Sequence, residues 1–126
     1  MAALKKRYYP KIDEEVYSAI LDNGMSLSII KKKGFVEKVA FLSTNFGALD
    51  NHFYIDGESQ SYPAGIAHFL EHKLFEDDQG RDVTLDFVKL GADVNAFTTL
   101  DRTTYYFSTI DHFEESLELL LKFTSE

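Results

Sequence analysis

Cysteine and tryptophan are absent from this chain, and only two of its 126 residues are proline. Without cysteine there is no disulfide framework and no thiolate ligand, so a bound metal must be held by imidazole and carboxylate groups. Long apolar runs are missing too, and none approaches the ~20 residues a membrane helix needs. The basic start, "MAALKKRYYPK", lacks the apolar stretch of a secretory signal. Positive charge is scarce: 13 Lys and Arg stand against 21 Asp and Glu, for a net charge of -8. Phosphate backbones repel such a surface, and Lys31-Lys32-Lys33 is the one local exception, so nucleic acid is excluded as a partner. These absences predict a cytoplasmic protein that neither crosses a membrane nor binds nucleic acid.

What the chain does have is apolar mass. Apolar residues make up 44%, with 11 Phe and 7 Tyr among them. That suffices for the core of one domain. Residues 1–15 read as a polar lead-in, and residues 16–126 as the folded part. "VYSAILDNGMSLSIIKKKGF" reads as a hairpin turning at Asp22-Asn23-Gly24, where Asn-Gly supplies positive φ angles. Met25, Leu27 and Ile29 alternate with serines and predict one buried face. "VEKVAFLSTNFGALD" is a third strand, and "DNHFYIDGESQSYPAG" a polar loop leading to Pro63 near the next helix start.

A helix is predicted over 64–75, and a second in "RDVTLDFVKLGA", with Val83, Phe87, Val88 and Leu90 inward and Gly91 as its stop. "DVNAFTTLDRTTYYFSTI" gives two strands turning near Asp101. "DHFEESLELLLKF" gives a third helix, capped by Asp111 with Glu114 in the capping-box position and an apolar stripe of Phe113, Leu117, Leu120 and Leu121. The order predicts an α+β fold, a mostly antiparallel sheet packed by helices on one face. The last apolar helix has no closing element after it, which reads as a fold incomplete at its C-terminus.

The first helix carries "GIAHFLEHKLFED". With His68 at 0°, about 100° per residue puts His72 near roughly 40° and Glu71 near roughly -60°. Both imidazoles therefore share a face one turn apart and can reach one ion. On the same wheel Ile66, Phe69, Leu70 and Leu74 lie opposite, with Lys73 among them, which predicts that they face the core. Two readings stay open at this point: a metal site with its own base, or a solvated polar stripe. Zinc suits the first, since two histidines, a carboxylate and a water make a catalytic tetrahedron in which Glu71 can move a proton. His52 reads as part of a solvated acidic loop, and His112 as exposed.

H-x-x-E-H is the inverzincin signature. "GIAHFLEHKLF", then "GADVNAFTTLDRTTYYFST", with "LDNGMSLSII" ahead of both, resembles the pitrilysin/insulin-degrading-enzyme (insulinase) family of zinc peptidases over residues 16–123. The resemblance implies a metallohydrolase-type αβ roll and the N-terminal fragment of a bacterial member. It implies His68 and His72 as zinc ligands, Glu71 as general base, and Asn95 and Ala96 as contacts to a peptide substrate pairing along a strand edge. It also implies a third ligand, a Glu far downstream; Glu114, Glu115 and Glu118 come too early. A homologous C-terminal half or partner subunit would complete the enzyme, so the fragment is expected to be inactive alone. Lys73 departs from the family, where an apolar residue is usual. The alternative within the same fold is a non-catalytic structural subunit that partners an active peptidase.

Overall fold

Turns decide where the strands of this chain begin and end. The computed structural model describes residues 3–125, and the chain divides into two compact units, 1–35 and 36–126. In the first, β1 (Lys5–Tyr9), β2 (Glu14–Ile20) and β3 (Ser26–Ile30) form an antiparallel sheet in that order. The expected lead-in thus contains the strand β1, with Arg7 opposite Val16 and exposed along its whole length. Its run of three cationic residues before two tyrosines hides it from an apolar-pattern reading. The β2–β3 turn keeps only Gly24 at positive φ, 85°. The Leu21 amide donates to the Met25 carbonyl at 2.8 Å and Gly24 to Leu21 at 2.9 Å, a three-residue loop rather than a two-residue one. Of the face predicted as buried, Leu27 is half-buried while Met25 and Ile29 are exposed. Alternation shows which face is apolar, not whether anything covers it, and a three-stranded ribbon has no second layer of its own.

The second unit holds β4 (Lys38–Thr44), β5 (His52–Ile55), β6 (Glu58–Ser61), α1 (Ile66–Leu74), α2 (Thr84–Lys89), β7 (Asp93–Thr98), β8 (Thr103–Thr109) and α3 (Phe113–Ser125). Its main sheet is antiparallel with order β4-β8-β7. The stretch expected to be a loop instead contains the β5–β6 hairpin. Asp56 at φ 51° and Gly57 at φ 83° form its turn, and Ile55 pairs with Glu58. Asp-Gly is the two-residue hairpin signal in this chain, and the polar residues around it masked it.

Helices pack on one face of the sheet, α1 and α2 against β7 and α3 against β8 and β4. Between them lie Val83, Phe87, Ala92, Tyr105, Phe107, Leu120 and Phe123. The rings pack at offset or edge angles: Phe87 is 6.0 Å from Phe107 and 5.8 Å from Phe123, and Phe75 is 5.2 Å from Phe123. On the opposite face Phe41 stacks on Tyr106 at 5.4 Å.

Two helices differ in detail from expectation. In α2, Val88 is 66% exposed, because the helix is only six residues long and turns Phe87 fully inward. Gly91 does end it, at φ 73°. In α3 the first acceptor is the His112 carbonyl, bonded by the Ser116 amide at 3.0 Å. Asp111 accepts the His112 amide at 2.8 Å instead of capping the first turn. The capping box with Glu114 therefore does not form, and the side chain three past the cap is Glu115, 3.5 Å from His112. Ser116 and Phe123 are buried in place of Leu121, which is 41% exposed.

The segment after β4 is clamped to the β7–β8 turn. Ala48 and Leu49 amides donate to the Thr99 and Leu100 carbonyls at 2.8 and 2.9 Å, and the Thr103 hydroxyl donates to the Phe46 carbonyl at 2.7 Å. Gly47 makes this approach possible. A Cβ there would lie 2.3 Å from the Arg102 amide nitrogen and 2.5 Å from the Asp101 backbone. Backbone cannot rotate aside as a side chain can. Gly47→Ala is expected to cost about 1–3 kcal/mol, as overpacking does. Thermal unfolding should show a midpoint several degrees lower, and a midpoint unchanged within a degree would count against the clamp.

Candidate metal centre

Helix α1 opens on Gly65, whose φ of 91° suits glycine, and whose carbonyl accepts the Phe69 amide at 2.9 Å. Pro63 lies two residues ahead of that cap. The helix's last turn carries His72 and Lys73, where positive charge suits the carbonyl end of the helix dipole. The side of α1 that meets the sheet is not the one the helical wheel selects. Ala67 and Glu71 are buried, at 1% and 5% exposure, and Leu74 and Phe75 pack on the core. Phe69 and Leu70 are 60% and 44% exposed, contrary to expectation. Small Ala67 allows close approach to β7, and the Glu71 carboxylate finds a polar partner there: the Thr98 hydroxyl donates to its Oε2. A buried carboxylate with such a partner is tolerated where an unpaired one is not. Lys73 points outward and pairs with Glu76 at 2.6 Å, so it need not snorkel from an apolar face.

His68 and His72 are both exposed, so neither is a core histidine. Their Nε2 atoms lie 3.1 Å apart, with the rings crossed at 81°. Glu71 Oε2 is 3.6 Å from His68 Nδ1. One ligand atom from each of the three lies within 4.8 Å of the others, and among the described residues no other group of three such side chains converges. Zinc bonds imidazole nitrogen at about 2.0–2.1 Å, so two nitrogens on one tetrahedral ion sit about 3.3–3.4 Å apart. The observed 3.1 Å separation fits that donor set with a small rotation of either ring.

Asn95 and Ala96 lie on β7, at one end of the β4-β8-β7 order. Asn95 is exposed, and its Oδ1 accepts the Ala96 amide at 2.8 Å. Ala96 packs on the core. Glu114, Glu115 and Glu118 are exposed on α3 and lie outside the cluster. His52 is in β5, with Nε2 at 3.0 Å from the Ser59 hydroxyl, so its place is a hairpin and not an open loop. Thr98, on β7, is a further neighbour of the site. Its partner lies 27 residues earlier, and no local pattern marks it.

The family profile described as "Insulinase (Peptidase family M16)" matches residues 58–126, more than half of the chain. The chain belongs to this family. Among curated relatives, the uncharacterized zinc protease YmfH of Bacillus subtilis strain 168 is 42% identical over 125 residues, covering 98% of this chain and 29% of that protein. A crystal structure of an M16-like peptidase from Alicyclobacillus acidocaldarius superposes with a TM-score of 0.81 at 37% identity, over 90% of this chain and 26% of that one. Pitrilysin shares the fold, with a TM-score of 0.61 at 21% identity over 86% of this chain and 12% of its own. The chain thus spans less than a third of the M16 proteins it matches. The α+β architecture of antiparallel sheet and helices is the one these M16 structures have. No helix among the described residues is long and apolar enough to cross a membrane.

Tyr105, on β8 opposite Ala96, is the other group that feels Glu71. Burial first, and the Glu71 charge second, push its phenol up to about 12 from the ordinary 10. The folded state thus favours the neutral phenol. That contribution is complete below the unfolded value of about 10 and is lost as pH rises through about 12. Unfolding midpoints measured from pH 9 to 12 should fall for the wild type, and fall less steeply for Tyr105→Phe. Parallel slopes for the two would contradict this origin.

Proposed function

We propose that these residues are the N-terminal portion of a zinc-dependent peptidase, with His68 and His72 as two of its metal ligands and Glu71 as its general base. The observation that carries the reading is a pair of exposed imidazoles with Nε2 atoms 3.1 Å apart beside a buried, hydrogen-bonded carboxylate. The family, and the zinc protease among its relatives, support the metal and the reaction class. Zinc, when bound, supplies a Lewis acid that acidifies a water and polarises the scissile carbonyl.

His68 and His72 would hold the ion from one helical face, their Nε2 atoms being 3.1 Å apart. Glu71 accepts the proton lost by the attacking water at a carboxylate oxygen. It then delivers that proton to the departing amide nitrogen as the C–N bond breaks, so the leaving group departs as a neutral amine. Asn95 and Ala96 sit where an extended peptide can add to β7 as a further strand, its main chain paired and its alternate side chains read on either face. The third ligand, a Glu, is supplied from outside these 126 residues. A homologous half or partner subunit closes over the peptide. The 126 residues alone therefore bind zinc weakly and do not cleave peptides.

In the longer protein, Glu71→Gln should keep zinc at one equivalent and lower peptide turnover at least a hundredfold, the scale of general acid–base catalysis. His68→Ala should lose the metal itself. Metal analysis beside a peptide-cleavage assay separates the two. Unchanged turnover in Glu71→Gln would sink the base assignment.

A further inference from the structure

We propose that Thr98 is the positioning residue that fixes the carboxylate of Glu71 for its work as base, an assignment that rests on the peptidase reading above. Its hydroxyl has one proton to donate, and donates it to Glu71 Oε2. The same oxygen lies 3.6 Å from His68 Nδ1. Oε2 therefore carries the one hydrogen bond and faces His68, while Oε1 accepts no hydrogen bond from the described residues. One oxygen is tethered and the other is left to exchange a proton. A carboxylate held only by its own side-chain torsions would present either oxygen in turn.

The tether is rigid at both ends. Threonine is stiff at χ1 because it branches at Cβ. Thr98 ends β7 and pairs with Thr103, which is 2% exposed and donates its hydroxyl to the Phe46 carbonyl. Directly after it, the Thr99 amide donates to the Arg102 carbonyl at 2.7 Å, and the Thr99 carbonyl accepts from Ala48. The donor thus sits at a cross-braced point of the sheet. At the other end, Glu71 is buried on α1 between Ala67 and Leu74. Misplacing a catalytic group by about an ångström costs about a hundredfold in rate, so a tether of this kind has consequences for turnover.

The test uses the zinc-loaded, full-length enzyme. Thr98→Val keeps the branched shape and removes the donor. It should lower kcat roughly tenfold to a hundredfold, with KM and zinc content unchanged, as loss of a hydrogen bond to a charged group does. Thr98→Ser restores the hydroxyl and should recover kcat to within a few-fold. In a Glu71→Gln background, Thr98→Val should cause no further loss, because the two act as one unit. A Thr98→Val enzyme with wild-type kcat overturns the proposal, and so does a Thr98→Ser enzyme as impaired as Thr98→Val. An inactive Glu71→Gln beside an unimpaired Thr98→Val defeats this assignment alone, whereas wild-type turnover by Glu71→Gln defeats the role of Glu71 as base and this assignment with it.

Discussion

Burial of the Glu71 carboxylate against the β7 strand sets the rotation of helix α1, and the rest of the site follows from that rotation. A buried charge needs partners, and Glu71 has the Thr98 hydroxyl and the edge of His68. With Glu71 inward, Ala67 and Leu74 must also turn inward, since they share its face at spacings of four and three. His68 and His72 then flank that face on the outside, where their nitrogens can meet an ion. Phe69 and Leu70 are left toward solvent as a geometric consequence. The apolar residues do not choose this orientation, because the carboxylate's requirement is the stricter one.

The second unit can carry that arrangement because its core is aromatic and cross-braced. Phe75 leaves the end of α1 and packs on Tyr105 and Phe123, so the site helix is pinned at its C-terminal end by the same rings that join β8 to α3. At the other side, the clamp of residues 46–49 onto the β7–β8 turn fixes the strand end where Thr98 sits. Gly47 is where these two backbones touch, far from the histidines in sequence yet part of the same chain of supports.

The sequence made the outline legible and the burial illegible. Strands β4, β7 and β8, the three helices and the His-Glu-His cluster follow from periodicity and turn residues. The β5–β6 hairpin escapes a sequence reading because Ser59, Gln60 and Ser61 look like loop chemistry, though Asp56-Gly57 between the two strands is a hairpin turn. The β1 strand was missed because its lysines, arginine and tyrosines give no alternation of apolar residues. The wheel failed on α1 for a more instructive reason. It assumes that charge faces water, and it cannot see a hydroxyl 27 residues away that makes an inward carboxylate acceptable.

The three side chains of the site differ sharply in burial. The carboxylate is buried and braced by the fold, whereas the two imidazoles stand in solvent, the His68 side chain 63% exposed. Electrostatic catalysis gains most where water is excluded and groups are fixed beforehand. The carboxylate meets both conditions here, and the imidazoles meet neither. Under the proposed function, then, the remainder of the longer protein has two separate tasks at this site: to supply the third ligand, and to cover the histidine face. Cover alone would leave a two-ligand metal weakly held, and a third ligand alone would leave the reaction open to bulk water.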